Sequence, residues 1–148
     1  MRLLIALTAL VLSISTLSAS AAGGDKLTIA GISPGDTLQE ITAMHGRPSS
    51  QERSYGFIVL RVRYDRLSFD LDEDGLVANA ETANPQYCFK GWLCPGALMA
   101  KIRSKLPSLT RASSLDAPFV AYADGDGCWL EITAPAKAIT SLAFKCQP

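Results

Sequence analysis

Ile32-Ser33-Pro34-Gly35 and, further along the chain, Leu93-Cys94-Pro95-Gly96 say the same thing twice, and each is followed by a short amphipathic run. Superposing the two Pro-Gly pairs sets Leu38 on Met99, Ile41 on Ile102 and His45 on Leu106. These positions follow the i, i+3, i+7 spacing of one helical stripe that can lie on a sheet. Pro34 and Pro95 suit a first helical turn, where a missing N–H costs nothing. Gly46 with Pro48 stops the first helix and Pro107 the second.

Working outward, each helix leads into short alternating runs. In the first copy these are 57–64, 67–71 and 76–81. Leu60, Val62 and Tyr64 alternate with Arg61 and Arg63, and Leu67, Phe69 and Leu71 alternate with Ser68 and Asp70. Such alternation predicts strands with one apolar and one wet face. Tyr64-Asp65-Arg66 and Asp72-Glu73-Asp74-Gly75 supply the turns. The second copy repeats the order with 118–124, 128–133 and 139–146, turning at Asp124-Gly125-Asp126-Gly127 and around Pro135. A lead-in strand is expected before each helix. The sequence therefore predicts an α+β fold of two tandem repeats, each a helix plus an antiparallel sheet of three or four strands, with the helices packed on one face of the sheets. A unit that cannot bury its own apolar face is buried against its neighbour. The expected boundaries are 1–22 for a signal peptide, 23–83 for the first repeat and 84–148 for the second, with Ala83-Asn84-Pro85-Gln86 as the linker.

Met1-Arg2 followed by the apolar run 3–12, and Ala19-Ser20-Ala21 as a small-x-small cleavage site, read as an export signal. The apolar run is too short for a membrane span. No cysteine stands near the cleavage site to accept a lipid, so the expectation is a periplasmic protein without stable membrane insertion. Removing the leader takes Lys plus Arg from 14 to 13 against 14 acidic residues. A nearly neutral chain without a basic run argues against nucleic acid as partner.

Cys88, Cys94, Cys128 and Cys146 all lie in the second copy, and an even number in an exported chain reads as two disulfides. If 128–133 and 141–146 form a hairpin, one register sets Cys128 opposite Cys146, Leu130 opposite Phe144 and Ile132 opposite Leu142. Cys88 then closes a short loop with Cys94. A four-cysteine zinc site lacks any Cys-x-x-Cys spacing.

The Pro-Gly pair before a helix, Gly46-Arg47-Pro48 after it, a Tyr-bearing strand and the Asp74-Gly75-Leu76-Val77 turn resemble the small outer-membrane lipoprotein family SmpA/OmlA. In tandem and with disulfides the pattern is similar to the beta-lactamase inhibitory protein family, built from two such units. That resemblance implies a non-enzymatic inhibitor that meets its target through the turn Tyr64-Asp65-Arg66 and the polar sheet face. The lipoproteins' lipid-accepting cysteine is absent here. The inhibitor family is expected to carry one disulfide per repeat, whereas both expected bridges here fall in the second.

Three candidates compete for a functional role. Asp70-x-Asp72-x-Asp74-Gly75 with Glu81 matches a calcium-loop pattern. Its flanks alternate like strands where an EF-hand needs helices, so the acidic tip of a hairpin is the preferred reading and a calcium-binding module the alternative. His45 is the sole histidine, and its counterpart Leu106 marks it as a packed residue at a helix end. No serine or cysteine triad and no phosphate-binding loop can be assembled, so the chain reads as a non-enzyme without a cofactor. What is left is a surface. Tyr55, Arg61, Arg63, Asp65, Arg66, Trp129 and Glu131 are the candidate partner-binding residues, being of types that anchor interfaces and lying on polar faces or turns. The expected partner is another protein: a toxin, a hydrolase or an envelope component. The leading expectation is an inhibitor or immunity protein, and the alternative an envelope-assembly accessory of the SmpA/OmlA kind.

Overall fold

The computed structural model describes residues 26–106, 110–111, 118–123 and 127–147. The expected leader 1–22, the stop at Pro107 and most of the turn 124–127 lie outside them. Among the described residues two helices, α1 (Leu38–His45) and α2 (Met99–Lys105), accompany eight strands. The strands are β1 (Ser50–Arg53), β2 (Ile58–Tyr64), β3 (Leu67–Asp72), β4 (Val77–Thr82), β5 (Thr110–Arg111), β6 (Phe119–Ala123), β7 (Cys128–Thr133) and β8 (Ser141–Cys146).

All eight join one antiparallel sheet in the order β1-β2-β3-β4-β8-β7-β6-β5. The expectation of two tandem helix-plus-sheet repeats is thereby overturned: β4 pairs directly with β8, Ala80 facing Phe144 and Thr82 facing Leu142. The physical reason is the burial of those two strands. Val77, Ala78, Ala80 and Thr82 in β4 and Leu142, Ala143 and Phe144 in β8 are all buried. Backbone groups at buried edges must find partners, and these two edges find each other. One hydrophobic cluster runs along the sheet, from Val62, Phe69 and Leu71 through Phe144 and Leu142 to Leu130 and Ile132, under Ile41 of α1 and Ile102 of α2. The sheet and this core cross the expected boundary at 83/84 without a break.

The doubled Pro-Gly motif acts before the helices rather than within them. Ser33-Pro34-Gly35-Asp36 closes a turn with Asp36 N–H donating to Ser33 O at 3.2 Å, and Gly35 has φ 85°. Proline at the second position and a positive-φ glycine at the third make a type II turn. Gly35 N–H then donates to Val77 O at 2.9 Å, and Val77 N–H to Asp36 O at 2.8 Å, which pins the helix entry to the start of β4. Cys94-Pro95-Gly96-Ala97 does the same at Ile139, with bonds of 2.8 and 2.9 Å. The expected lead-in strand is replaced by a tight turn in which Ile29 and Ile32 bond only to each other.

α1 carries a full capping box, Thr37 Oγ1 accepting from Glu40 N–H and Glu40 Oε2 accepting from Thr37 N–H. The N-cap position of α2 is Leu98, whose side chain supplies no capping hydrogen bond. His45, half-buried, packs against the rings of Tyr64, Phe69 and Tyr87, and its Nε2 lies 2.9 Å from Ala30 O. The two disulfides are Cys88–Cys94 and Cys128–Cys146. β7 and β8 pair Cys128 with Cys146, Leu130 with Phe144 and Ile132 with Leu142. Two such bridges mark a chain that folds in an oxidising environment.

Candidate partner-binding face

Both helices contribute to the core on the apolar side of the sheet, and the candidate residues are laid out on the other side. Residues directly opposite in neighbouring strands point to the same face, and the register lays out two rows across it. The first runs Glu52, Arg61, Asp70, Asn79, Lys145, Trp129. The second runs Ser50, Arg63, Ser68, Glu81, Ala143, Glu131.

The first row is wired together. Arg61 Nε and Nη2 donate to Asp70 Oδ1 and Oδ2 at 2.6 and 2.8 Å, a bidentate pair. Asn79 Nδ2 donates to Asp70 Oδ2 at 3.3 Å, and Asn79 Oδ1 accepts from Cys146 N–H at 3.2 Å. Four strands, β2, β3, β4 and β8, are thus tied by one polar chain. Burial pushes the Asp70 carboxyl up. The hydrogen bonds from Arg61 and Asn79, with the charges of Arg61 and Lys145, pull it further down, and it rests below its ordinary 3.8. The Arg61 guanidinium is held above its ordinary value chiefly by its hydrogen bonds to Asp70. In the second row Arg63 Nη2 meets Glu52 at 3.2 Å, an exposed and weak contact. Trp129 Nε1 donates to Glu131 Oε1 at 3.0 Å, which orders the indole on the face.

The seven candidate residues are only partly brought together. Arg61, Arg63, Trp129 and Glu131 share the open face, but four strand spacings separate β2 from β7, about 19 Å. Asp65 and Arg66 form the β2–β3 turn at one end of β2, and Tyr55, fully exposed, sits in the β1–β2 connection at the other. Glu52, Asn79 and Lys145 fill the gaps and were missed. The Val77-Ala78-Asn79-Ala80-Glu81 alternation would have placed Asn79 on this face had the β3–β4 register been known.

The residues of the calcium-loop pattern are engaged elsewhere in this geometry. Strands, not helices, flank it. Asp70 is committed to Arg61, and Asp72 Oδ1 accepts from Asp74 and Leu76 N–H, closing the β3–β4 turn. Glu81 stands on β4 opposite Ser68. Among the described residues no group of three or more His, Cys, Asp or Glu is placed to hold a metal. No helix among them is long and apolar enough to cross a membrane.

No protein-family model and no curated protein matches the chain. A solved structure is similar: an extracellular protein containing a SCP domain from Bacillus anthracis str. Ames, with a TM-score of 0.62 and 13% identity over 93% of this chain. The chain spans 50% of that protein's length. At this identity the likeness shows a shared fold and nothing of activity. It extends over nearly the whole chain, as the continuous sheet does and as two independent helix-sheet units would not require.

Proposed function

We propose that this protein is an exported, periplasmic binding module of the inhibitor or immunity type, not an enzyme, which holds a partner protein against its open sheet face. The observation that supports this reading most is the polar row from Arg61 through Asp70 and Asn79 to the backbone of Cys146, which holds half-exposed Arg61 in one geometry before any partner arrives. Ordering side chains in advance removes part of the entropy cost of association. The size also suits a protein. The strands, together 42 residues at about 3.4 Å rise and about 4.8 Å spacing, present about 700 Å², close to the ~800 Å² per partner of a standard interface. The apolar run and small-x-small site at the start of the chain support export.

The test is affinity capture from the periplasm with the native protein and with an Arg63→Ala, Trp129→Ala double variant, whose substitutions lie on the face and outside the Asp70 network. One stoichiometric partner retained by the native protein and lost by the variant is the expected result. Recovery of membrane assembly machinery would favour the SmpA/OmlA-like accessory role. Equal capture by both forms, or none, would remove the reading.

A further inference from the structure

One end of the open face carries a feature that the rows leave unexplained. Arg66, in the β2–β3 turn, has φ 54°, a left-handed conformation that glycine or asparagine adopts at lower cost. The backbone is held there firmly, for Arg66 O accepts from Thr82 Oγ1 at 3.2 Å and from Ala83 N–H at 2.9 Å. The side chain, by contrast, is exposed and makes no hydrogen bond or ion pair among the described residues. The two-residue β2–β3 turn accounts for the positive φ, and the long cationic side chain it presents is left open to a ligand. Beside it opens a cleft of about 260 Å³, lined among others by Arg63, Arg66, Ser68 and Glu81. Among the described residues the Arg63 side chain is engaged by its weak contact to Glu52 alone, so its fork is available at little cost.

We infer that this cleft receives a carboxylate side chain from an acidic segment of the partner protein, clamped between the guanidinium groups of Arg63 and Arg66. Guanidinium forks match carboxylates in pairs of parallel hydrogen bonds. Ser68 offers a hydroxyl on the cleft wall. Glu81, on the same wall, opposes the bound anion and limits the site to a carboxylate that enters on the arginine side. The inference rests on the binding-module reading and specifies the partner's chemistry at one end of the face.

The experiment titrates the full-length, disulfide-intact protein into a fluorescein-labelled oligoglutamate peptide and follows anisotropy. Saturable binding that weakens as salt is raised is expected. Arg66→Asn, which suits the left-handed backbone, should weaken binding about tenfold, ~1.4 kcal/mol, without lowering the melting temperature. Glu81→Gln should tighten it several-fold by removing the opposing charge. Arg53→Ala, at the far end of β2's neighbour β1, should leave it unchanged. Absence of saturable binding, indifference to Arg66→Asn, weakening by Glu81→Gln, or displacement by inorganic phosphate as effective as by unlabelled peptide would each overturn the inference. Capture of a partner that survives Arg66→Asn, with the peptide silent, would overturn the cleft and leave the face reading standing. Peptide binding without any captured partner would do the reverse.

Discussion

Replacing Asp70 by Asn tests whether the polar row is what orders the open face. Asp70 is 6% exposed and anchors three donors: two from Arg61 at 2.6 and 2.8 Å and one from Asn79 at 3.3 Å. Breaking a fully buried pair costs about 3–5 kcal/mol. The Arg61 side chain is 44% exposed, so water takes over part of its solvation, and the expected loss at neutral pH falls to about 2 kcal/mol. That corresponds to a drop in melting temperature of roughly 8 °C. The pH dependence follows from the sign of the shift. The folded carboxyl lies below its ordinary 3.8, so the native state binds fewer protons than the unfolded chain in that range. Its stabilisation is complete above the unfolded pKa of about 4 and is lost as pH falls through the folded value. Urea unfolding of the native protein and of Asp70→Asn, at about pH 7 and about pH 2, should therefore show a difference of about 2 kcal/mol that shrinks markedly in acid. A difference that is the same at both pH values, or below about 0.5 kcal/mol at neutral pH, would refute the reasoning, because the carboxylate would then not be what Arg61 and Asn79 are holding.

The disulfides should differ in weight: with 18 residues of separation for Cys128–Cys146 and 6 for Cys88–Cys94, removing them as Cys→Ala pairs should cost about 3 and about 2 kcal/mol in denaturant melts. The reverse order would contradict the chain-entropy account. His45→Leu installs the residue found at the equivalent point of the second half and keeps apolar contact with Tyr64, Phe69 and Tyr87, but leaves Ala30 O without its 2.9 Å partner. It should lose about 1 kcal/mol, and a gain in melting temperature would count against a role for that bond. Thr37→Ala removes the α1 cap and should also cost about 1 kcal/mol, read by thermal melting, with no change indicating that the box is ornamental. Calorimetric titration with millimolar calcium should give no binding heat, since Asp70 and Asp72 are already engaged, and a saturable isotherm would revive the metal reading.

How legible these features are depends on the distance over which each is decided. The β7–β8 register can be read from the alternation of Leu130, Ile132, Leu142 and Phe144, because a hairpin's two faces are set by its own residues. β1 could not be read: Ser50-Gln51-Glu52-Arg53 has no apolar alternation, being an edge strand kept polar against further pairing. β5, with two residues, is shorter than any periodicity can reveal. Asp70 could be read as a wet-face residue of its strand, but not as a paired one, because an acidic triplet at alternate positions looks alike on a loop and on a strand. Only its pairing with Arg61 separates the two.

By itself the sequence determined what near neighbours decide: the two Pro-Gly turns, the amphipathic stripes that follow them, the hairpin that sets Cys128 opposite Cys146, and His45 as a packing residue. Tertiary structure alone decided that the two halves share one sheet through β4 and β8, and so which polar side chains stand in one row. Cys146 N–H and Asn79 Oδ1 meet from 67 residues apart. No local propensity encodes such a contact. It exists because two buried strand edges, each with backbone groups to satisfy, lower their free energy by pairing with each other.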